Sequence, residues 1–549
     1  MVARGVTDIE SAGDFLTPKL SKCADPASMK GVREAAELIC GFIGRNEKIT
    51  VFSDYDADGI TGAAIMRKAL ALAGACAEVF LPDRAEEGYG FTEKALKRCL
   101  AEFPATRLLL TVDCGVSQCA TVRAAVAAGV SVVISDHHEQ TGPLPAEAAA
   151  VLLPYAEGNP PAVRDLCGAG VAFKLAHQIL RCAGAAPESP GFLRRVSRGE
   201  ALEALGSMLP LAALGTVADV VPLTGENRIL AAKGLEEFNK PRHGRCHGLD
   251  AIREASDFAG VARSEDFGFV FGPRINASGR IADPGVSLRL LLSENRAEAL
   301  PLARELEENN GARREFEAEA LKSADGEDFT GKNSIVFRKT DMRAGVAGLV
   351  ASRLAERANL PAVALFGDDA VLRGSARCPA IGKLSLTELL GECADLLVNY
   401  GGHRAAAGLS VEAAKLGAFR EAFDAACGRA LAGCDRRPRL RVDAWLDAAD
   451  ISPEFRDAAE RLQPFGEGNP PPLFAVAGAI LKNAPRQFGK TTVNWELSFA
   501  GIPYPAVIYR CEELPFAAGD ELDVFFAFSQ TRYDKIVLDV RDVRPHCRG

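Results

Sequence analysis

The stretch "VFSDYDADGI", Val51–Ile60, places carboxylates at Asp54, Asp56 and Asp58 directly after an apolar, strand-like start. Side chains two apart on an extended segment point the same way. Where that strand runs into a loop, the three groups can converge. Ionised carboxylates within a few ångströms of one another repel by several kcal/mol at the modest dielectric of a protein interior, so a cation must neutralise them. Two further motifs supply matching ligands: Asp113 in "VDCG", and Asp136, His137 and His138 in "SDHH". Oxygen and imidazole donors suit Mg²⁺ or Mn²⁺, and the mixture of His with carboxylate favours Mn²⁺. The lack of cysteine ligands argues against structural zinc. A single Asp before a helix is commonly a cap, but three of them together with "VDCG" and "SDHH" exceed what capping explains.

Those residues need elements to position them. "KITVFSD" reads as a strand, "GITGAAIMRKALALAGA" as a helix, "CAEVFLPD" as a strand and "TEKALKRCLAEF" as a helix. "TRLLLTVDCG", "SQCATVRAAVAAGV" and "SVVISDHH" continue the rhythm as strand, helix and strand. Alternation of this kind predicts a parallel sheet with helices on both faces, and such sheets bind ligands beyond the carboxyl ends of their strands. Asp54 to Asp58, Asp113 and Asp136 to His138 all fall at that edge.

The chain has 549 residues, 48% of them hydrophobic, enough for several cored domains. Its formal charge is −9, which excludes coating of nucleic acid by bulk charge but not a local basic groove. The 15 cysteines are scattered without a CxxC pair, as expected of small apolar fillers in a reducing cytoplasm. The first residues contain no apolar signal core, and no run of 18 apolar residues occurs.

From Glu294 a charged, helix-forming run is predicted to connect two domains, with Pro301 as a kink or a helix start. A second, smaller α/β unit follows and ends in "NYGGHRAAAG". Around "GCDRRPRLRVDAW" four arginines fall within Arg436–Arg441. Beyond "LQPFGEGNPPPLF" come "LFAVAGAIL", "TTVNWELSF", "PAVIYR", "ELDVFFAF" and "KIVLDVRDV", short strands separated by turns, which predict a small all-β barrel or sandwich. In it Phe488, Trp495, Tyr509 and Tyr533 stand near Arg486, Lys490, Arg510 and Arg532. Aromatics stack bases in such barrels, although most of these are expected in the core, because a small barrel must be filled.

The motifs "SDYDADG", "VDCG", "SDHH" and "GTVADVVPL" resemble, in order and context, those of the DHH phosphoesterase superfamily. "GPRINASGRI", "RGSAR", "GGHRAAAG" and "LQPFGEGNPPPLF" further resemble those of the RecJ single-strand-specific exonucleases. The resemblance implies a DHH catalytic domain with an N-terminal extension (1–290), a connecting helix (291–324), a DHHA1 domain (325–432) and a C-terminal OB-fold (433–549). It implies a metal-dependent exonuclease that degrades single-stranded DNA from the 5′ end to mononucleotides in recombination and repair. Two cations about 4 Å apart would activate water, held by Asp54, Asp56, Asp58, Asp113, His137 and Asp219. Asp113 is the natural bridge, and Asp54 and Asp136 are inner or outer ligands. His138 would orient the phosphate or assist proton transfer, unless it is simply a polar neighbour of His137, and Arg280 would grip the scissile phosphate. Arg84, Asn276, Arg373, Ser375, Arg377 and His403 take the family's substrate-binding positions, with Arg84, Ser375 and Arg377 on a 5′-terminal phosphate. The family further implies a cytoplasmic monomer that partners a helicase and a single-strand-binding protein, without a membrane. The alternatives are a phosphodiesterase for short oligonucleotides or cyclic dinucleotides, a non-catalytic replicative scaffold, and a pyrophosphatase. Relatives of the first kind typically end after the second domain, the scaffold has eroded ligands, and the last gives no role to a barrel.

Overall fold

The computed structural model describes the chain except residues 85, 89, 186–190, 241–245, 368–369, 380, 382–383, 438, 489–491, 510, 512–513, 530–535 and 547–549. Lys490, Arg510, Arg532 and Tyr533 therefore lie outside the described residues.

Five apolar segments form the first sheet: β1 (Lys48–Ser53), β2 (Ala77–Phe80), β3 (Thr106–Val112), β4 (Ser131–Ser135) and β5 (Ala150–Leu152). They lie in the order β2-β1-β3-β4-β5, all parallel. Alternation sorts their side chains. Ile49, Val51, Leu108, Leu110, Val112 and Val133 face the helices Val32–Gly44, Ala57–Leu72 and Gly168–Ala185. Phe52, Leu109, Val132 and Ile134 face the helices Glu93–Glu102 and Cys119–Ala127. A sheet buried on both faces explains the nearly continuous apolar runs in the sequence. A block of helices between Arg198 and Leu292, not foreseen from the sequence, enlarges the first core. One of them, Arg198–Ala218, has the length and apolarity to cross a bilayer, with mean hydropathy 1.5, but Leu205 and residues Met208 to Thr216 are buried in this core.

The connecting helix runs from Arg296 to Ala324, 29 residues, capped by Asn295. Pro301 lies inside its second turn and does not start it. The second sheet comprises β6 (Ile335–Arg338), β7 (Ala362–Phe366), β8 (Val371–Arg377), β9 (Leu397–Gly402) and β10 (Ala406–Glu412) in the order β6-β7-β8-β10-β9. Only β6 and β7 pair in parallel.

The C-terminal unit contains β11 (Ala444–Trp445), β12 (Phe474–Leu481), β13 (Arg486–Phe488), β14 (Thr492–Phe499), β15 (Ile502–Tyr509), β16 (Glu521–Ser529) and β17 (Val537–Pro545). Pairing through β12-β16-β17-β15-β14 and back to β12 closes a five-stranded barrel. Of the three described aromatics singled out in the sequence, Trp495 fills the core, whereas Phe488 and Tyr509 are exposed. The expectation of a core position fails for Phe488 and Tyr509, because Phe488 sits on the edge strand β13 and Tyr509 ends β15, out of reach of the barrel axis.

Arg228 ties three parts of the chain together. It donates to the carbonyls of Leu462, Gln463 and Pro464 in the barrel linker and to Phe15 O, with its guanidinium 3.6 Å from the Phe15 ring centroid. Arg4 Nη1 adds a 2.6 Å bond to Asn469 Oδ1. Arg228→Ala removes the donor to Gln463 O and Phe15 O, whereas Leu462 O and Pro464 O keep a bond from Asn469 Nδ2. It should destabilise the joint by about 3 kcal/mol or more, read as a lower denaturant midpoint and earlier proteolytic release of the barrel. An unchanged midpoint would contradict this.

Candidate metal centre and phosphate pocket

The sheet register builds the first half of the site. Ser53 pairs with Val112, Val112 with Ser135, and Ser135 with Leu152. Asp54, Asp113 and Asp136 are therefore each the first residue beyond one level rung. Each extends the ladder by its own N–H, to Val112 O, Ser135 O and Leu152 O. Asp113 does so at φ 62°, a left-handed conformation that Asp tolerates better than most side chains. Simple strand alternation does not aim Asp56 and Asp58. Asp56 is the N-cap of the helix Ala57–Leu72, accepting from Asp58 N and Gly59 N, and Asp58 lies in its first turn.

Asp58 also receives a second helix terminus. Its Oδ2 accepts from Gly168 N at 2.6 Å and its Oδ1 from Ala169 N at 2.9 Å, at the start of the helix Gly168–Ala185. A helix N-terminus favours a negative group. Gly168 is required there: a Cβ would stand 2.6 Å from Asp113 Cβ and 2.7 Å from Asp113 Oδ1. Asp219 arrives from elsewhere, as the C-cap of the helix Arg198–Ala218, where the macrodipole opposes an anion.

Three ligand sets result: Asp54, Asp56 and Asp113; Asp58, His137 and Asp219; and Asp113, His137 and His138. Within each, the donor atoms lie within 4.8 Å of one another. His137 Nε2 is 3.1 Å from Asp113 Oδ1, 3.5 Å from Asp219 Oδ2 and 3.7 Å from Asp58 Oδ2. Despite these distances, His137 Nε2, Asp113 Oδ1 and both oxygens of Asp54 form no hydrogen bond of good geometry. The atoms point at common centres and not at each other. Buried polar atoms are nearly always paired, so this donor set of carboxylates and one imidazole fits a pair of hard divalent cations.

The electrostatics agree. Burial, and then the neighbouring carboxylates, push Asp54 and Asp113 well above the ordinary range and Asp219 up to about 9. Asp58 is raised too, mainly by burial. His137 is lowered by burial, which keeps it neutral and ready as a ligand. Asp136 behaves differently. Burial would raise it, but His138 and backbone N–H groups outweigh that and hold it below the usual carboxylate range. Its Oδ1 accepts from His137 N, His138 N and His138 Nδ1, and its Oδ2 from Val116 N. Asp136 is thus an orienting group. Burial works against a charge on His138, yet its bond to Asp136 and the surrounding carboxylates lift it to about 9. Tyr155 Oη donates to His138 O at 2.7 Å and fixes the same turn.

Beside Asp56 the charge changes sign. Arg280 is partly buried and lowered to about 10, by desolvation first and then by Arg84, Arg313 and Arg377, with Asp56 opposing. Its Nη1 donates to Gly345 O at 3.1 Å, at the start of the helix Ala344–Ala358. The Arg84 guanidinium stands 5.4 Å from the Tyr55 ring centroid. Arg377 Nη2 and Ser375 Oγ project from β8 toward Gly348 of that helix, where a Cβ would stand 2.8 Å from Arg377 Nη2 and displace the guanidinium. Arg373 occupies the same strand face but is exposed. Asn276 Oδ1 is taken by Ala57 N at 2.7 Å, so this side chain clamps the Arg280 helix to the acidic loop. His403 lies across a cleft of about 180 Å³ from His138, lined also by Gly90, Gln118 and Glu139. Its Nδ1 is 3.7 Å from Glu139 Oε2.

Sequence reasoning missed Arg313, hidden among the dense charges of the connecting helix, and the Gly168–Ala169 grip on Asp58. A glycine pair opening a helix in "CGAG" was the available signal for the latter.

Comparison with known proteins defines the class first. Residues 48–195 match the DHH family N-terminal domain, 331–429 the DHHA1 domain and 442–537 the RecJ OB domain. The single-stranded-DNA-specific exonuclease RecJ of Dickeya dadantii is 35% identical over 494 residues, covering 86% of this chain and 81% of that protein. That of Bacillus subtilis is 35% identical over 506 residues, 91% of this chain. The crystal structure of RecJ from Thermus thermophilus in complex with Mn²⁺ superposes with a TM-score of 0.80 at 29% identity, over 99% of this chain and 74% of that one. The chain belongs to the RecJ family. It spans 60% of the length of the B. subtilis relative.

If the cluster binds cations, stability must depend on pH in a set way. Carboxyls raised in the fold hold protons more tightly folded than unfolded. Their contribution is therefore full below about pH 4 and is lost as pH rises toward the value of about 9 at Asp219. Metal-free protein should melt at lower temperature at pH 8.5 than at pH 5.5. Mn²⁺ should restore more at pH 8.5, by about 3 kcal/mol at a hundredfold excess over Kd. Equal Mn²⁺ effects at both pH values would contradict this assignment.

Proposed function

We propose that the chain is a divalent-cation-dependent exonuclease that degrades single-stranded DNA from its 5′ end to mononucleotides. The observation that carries this reading is the convergence of six unrelated side chains, Asp54, Asp56, Asp58, Asp113, His137 and Asp219, on common centres beside a cluster of partly buried arginines. Divalent cations held there supply a nucleophilic water at neutral pH and neutralise charge that builds on a phosphate during in-line displacement. Asp113 belongs to two of the ligand sets and serves as the shared ligand. Arg280, next to Asp56, orients the scissile phosphate through its planar fork. His138, kept charged by Asp136, holds a proton beside Asp113, from which its Nδ1 is 3.7 Å. Arg84, Ser375 and Arg377 take the 5′-terminal phosphate, with Arg313 adding charge and Arg373 and His403 flanking the strand. The terminal grip and Asp56 are both electrostatic neighbours of Arg280, which supports release of the product as a mononucleotide. We propose that the strand runs through the cleft between the two α/β domains, where His138 and His403 face each other, and that duplex is excluded from it. On the barrel, Phe488 and Tyr509 flank Thr492 on neighbouring strands with Arg486 close by, an arrangement suited to stacking bases and following the backbone. We further propose a role in recombination and repair, as a cytoplasmic monomer working with a helicase and a single-strand-binding protein.

The test is degradation of long single strands labelled at either end, beside a dinucleotide, with Mn²⁺ or Mg²⁺ added to metal-free protein. Labelled mononucleotide should appear at once from the 5′ label and only late from the 3′ label. Preference for the dinucleotide, or prompt release of the 3′ label, would overturn the reading.

A further inference from the structure

An apolar groove of about 330 Å³ starts one residue from the metal centre. Its walls include Val217, Val220, Phe269, Phe465, Pro470 and Pro471. Val220 follows Asp219 directly, and its side chain is 66% exposed. Phe269 is 78% exposed. Exposed side chains of this size, grouped beside a polar catalytic centre, call for an explanation.

Two backbone irregularities hold them out. Val220 has φ 60°, an outlier for a β-branched residue and a form of strain that gathers at functional sites. Phe269 is the middle of a π-helical turn, Phe267–Phe271, another feature frequent at functional sites. The widened turn keeps Phe267 and Phe271 packed on Phe238 in the core and turns Phe269 outward. The opposite wall is the barrel linker, fixed by Ser264 Oγ donating to Phe465 O at 2.7 Å and Leu223 N donating to Glu467 O at 2.8 Å.

We infer that this groove binds nucleobases of a single strand immediately beyond the scissile phosphate, with Phe269 as a stacking platform and Val220 as the opposing wedge. The inference rests on the proposed function and adds to it a site on the far side of the bond. The direction follows from charge. The arginine cluster borders Asp56, whereas the groove borders Asp219, in the other ligand set. A strand held at the arginines and cut between the two sets must leave past Asp219. Within the groove Glu265 and Glu467 repel phosphates, so the uncharged base enters and the backbone stays outside. The adjoining cleft shares Glu265, Phe465 and Pro471 and contains Tyr509, which continues the aromatic steps to Phe488 across β14.

The experiment uses the full chain and 5′-phosphorylated strands in which a single abasic (tetrahydrofuran) nucleotide is walked from the 5′ end. Base–aromatic stacking predicts a loss of at least about fivefold in kcat/KM when the abasic unit lies just 3′ of the first bond. Phe269→Ala should lower kcat/KM on the natural strand by a similar factor, weaken strand binding by metal-free protein about as much in fluorescence anisotropy, and no longer sense the abasic unit. Because Phe269 is exposed, its variant should melt with the wild type. Val220→Ser, a second variant, should behave like it. If both variants melt normally and stay within twofold of wild type in anisotropy and kcat/KM, or if abasic sensitivity survives in Phe269→Ala, the groove assignment falls while the exonuclease reading stands. If the wild-type chain binds the strand with a Phe269-dependent Kd but does not cut it, the exonuclease reading falls instead.

Discussion

Asp113→Asn should lose at least about 10³-fold in kcat on single-stranded DNA while folding normally, and its metal-free form should melt higher than wild type. The first effect follows from placement. Asp113 lies in two of the three ligand sets, and its Oδ1 is one of the buried atoms without a hydrogen bond. An amide offers a weaker ligand and no charge. Losing about 4 kcal/mol of the charge stabilisation that paired cations provide is a factor of about 10³. The second effect has the opposite sign for the same reason. Asp113 is buried among Asp54, Asp56, Asp58 and Asp219, and its carboxyl is pushed far up by burial and by those neighbours. Replacing it with a neutral isostere removes repulsion that otherwise must be relieved by cations or by bound protons. The first thermal transition in EDTA should rise by a few degrees, about 2–4 °C per kcal/mol, and Mn²⁺ should then add little. A variant that remains active, or that melts lower than wild type in EDTA, would show that Asp113 is an ordinary buried acid.

Gly168→Ala should cost about 10²-fold or more in kcat with a far smaller change in unfolding free energy. A methyl group at residue 168 would meet Asp113 Cβ at 2.6 Å and Oδ1 at 2.7 Å, both well inside contact distance. Either Asp113 turns away or the helix Gly168–Ala185 retreats. Retreat would also loosen its two N–H donors to Asp58. Each route misplaces a ligand by a good fraction of an ångström, and displacement of about 1 Å costs roughly 10²-fold in rate. Gly168 is neither a ligand nor exposed, so a merely structural residue would show its effect in the denaturant midpoint, with kcat intact. Steady-state kinetics beside guanidinium unfolding separate the two. An active variant with Mn²⁺ binding unchanged would contradict the close packing described here.

The parts of this fold that the sequence announces are those with a repeating rule. Leu108 to Val112 and Val132 to Ile134 read as buried strands because both faces of the sheet are covered, and their acids fall one residue beyond each strand. Trp495 shares the alternating buried phase of Val493, Leu497 and Phe499, so barrel and core position were both readable. Other parts have no local rule. Asp219 caps a helix and reaches the centre through a long tertiary path, so only the resemblance of "GTVADVVPL" pointed to it. Asp56 reads in the sequence as one of three alternating ligands, yet it caps a helix and faces the centre at once, because a loop and not a strand aims it. The chemistry of Arg313 depends on which helix face meets Arg280, and dense charge in "GARREFEAE" hides that choice. Asn276 has the sequence context of a substrate contact, but its bond to Ala57 exists only once two distant segments pack. The strap from residues 1 to 28 holds one short amphipathic helix, Ile9–Leu16, but nothing local says that it is anchored through Arg4, Ala24 and Phe15 to distant segments.

The central claim, that acids and an imidazole from separate elements meet around two divalent ions, is tested most directly by anomalous diffraction at the manganese edge from crystals of the chain soaked in Mn²⁺. Two anomalous peaks should appear about 4 Å apart, one against Asp54, Asp56 and Asp113 and the other against Asp58, His137 and Asp219, and both should weaken or vanish in Asp113→Asn. Manganese found elsewhere, or no peak between these side chains while the same crystals still degrade single strands, would contradict it.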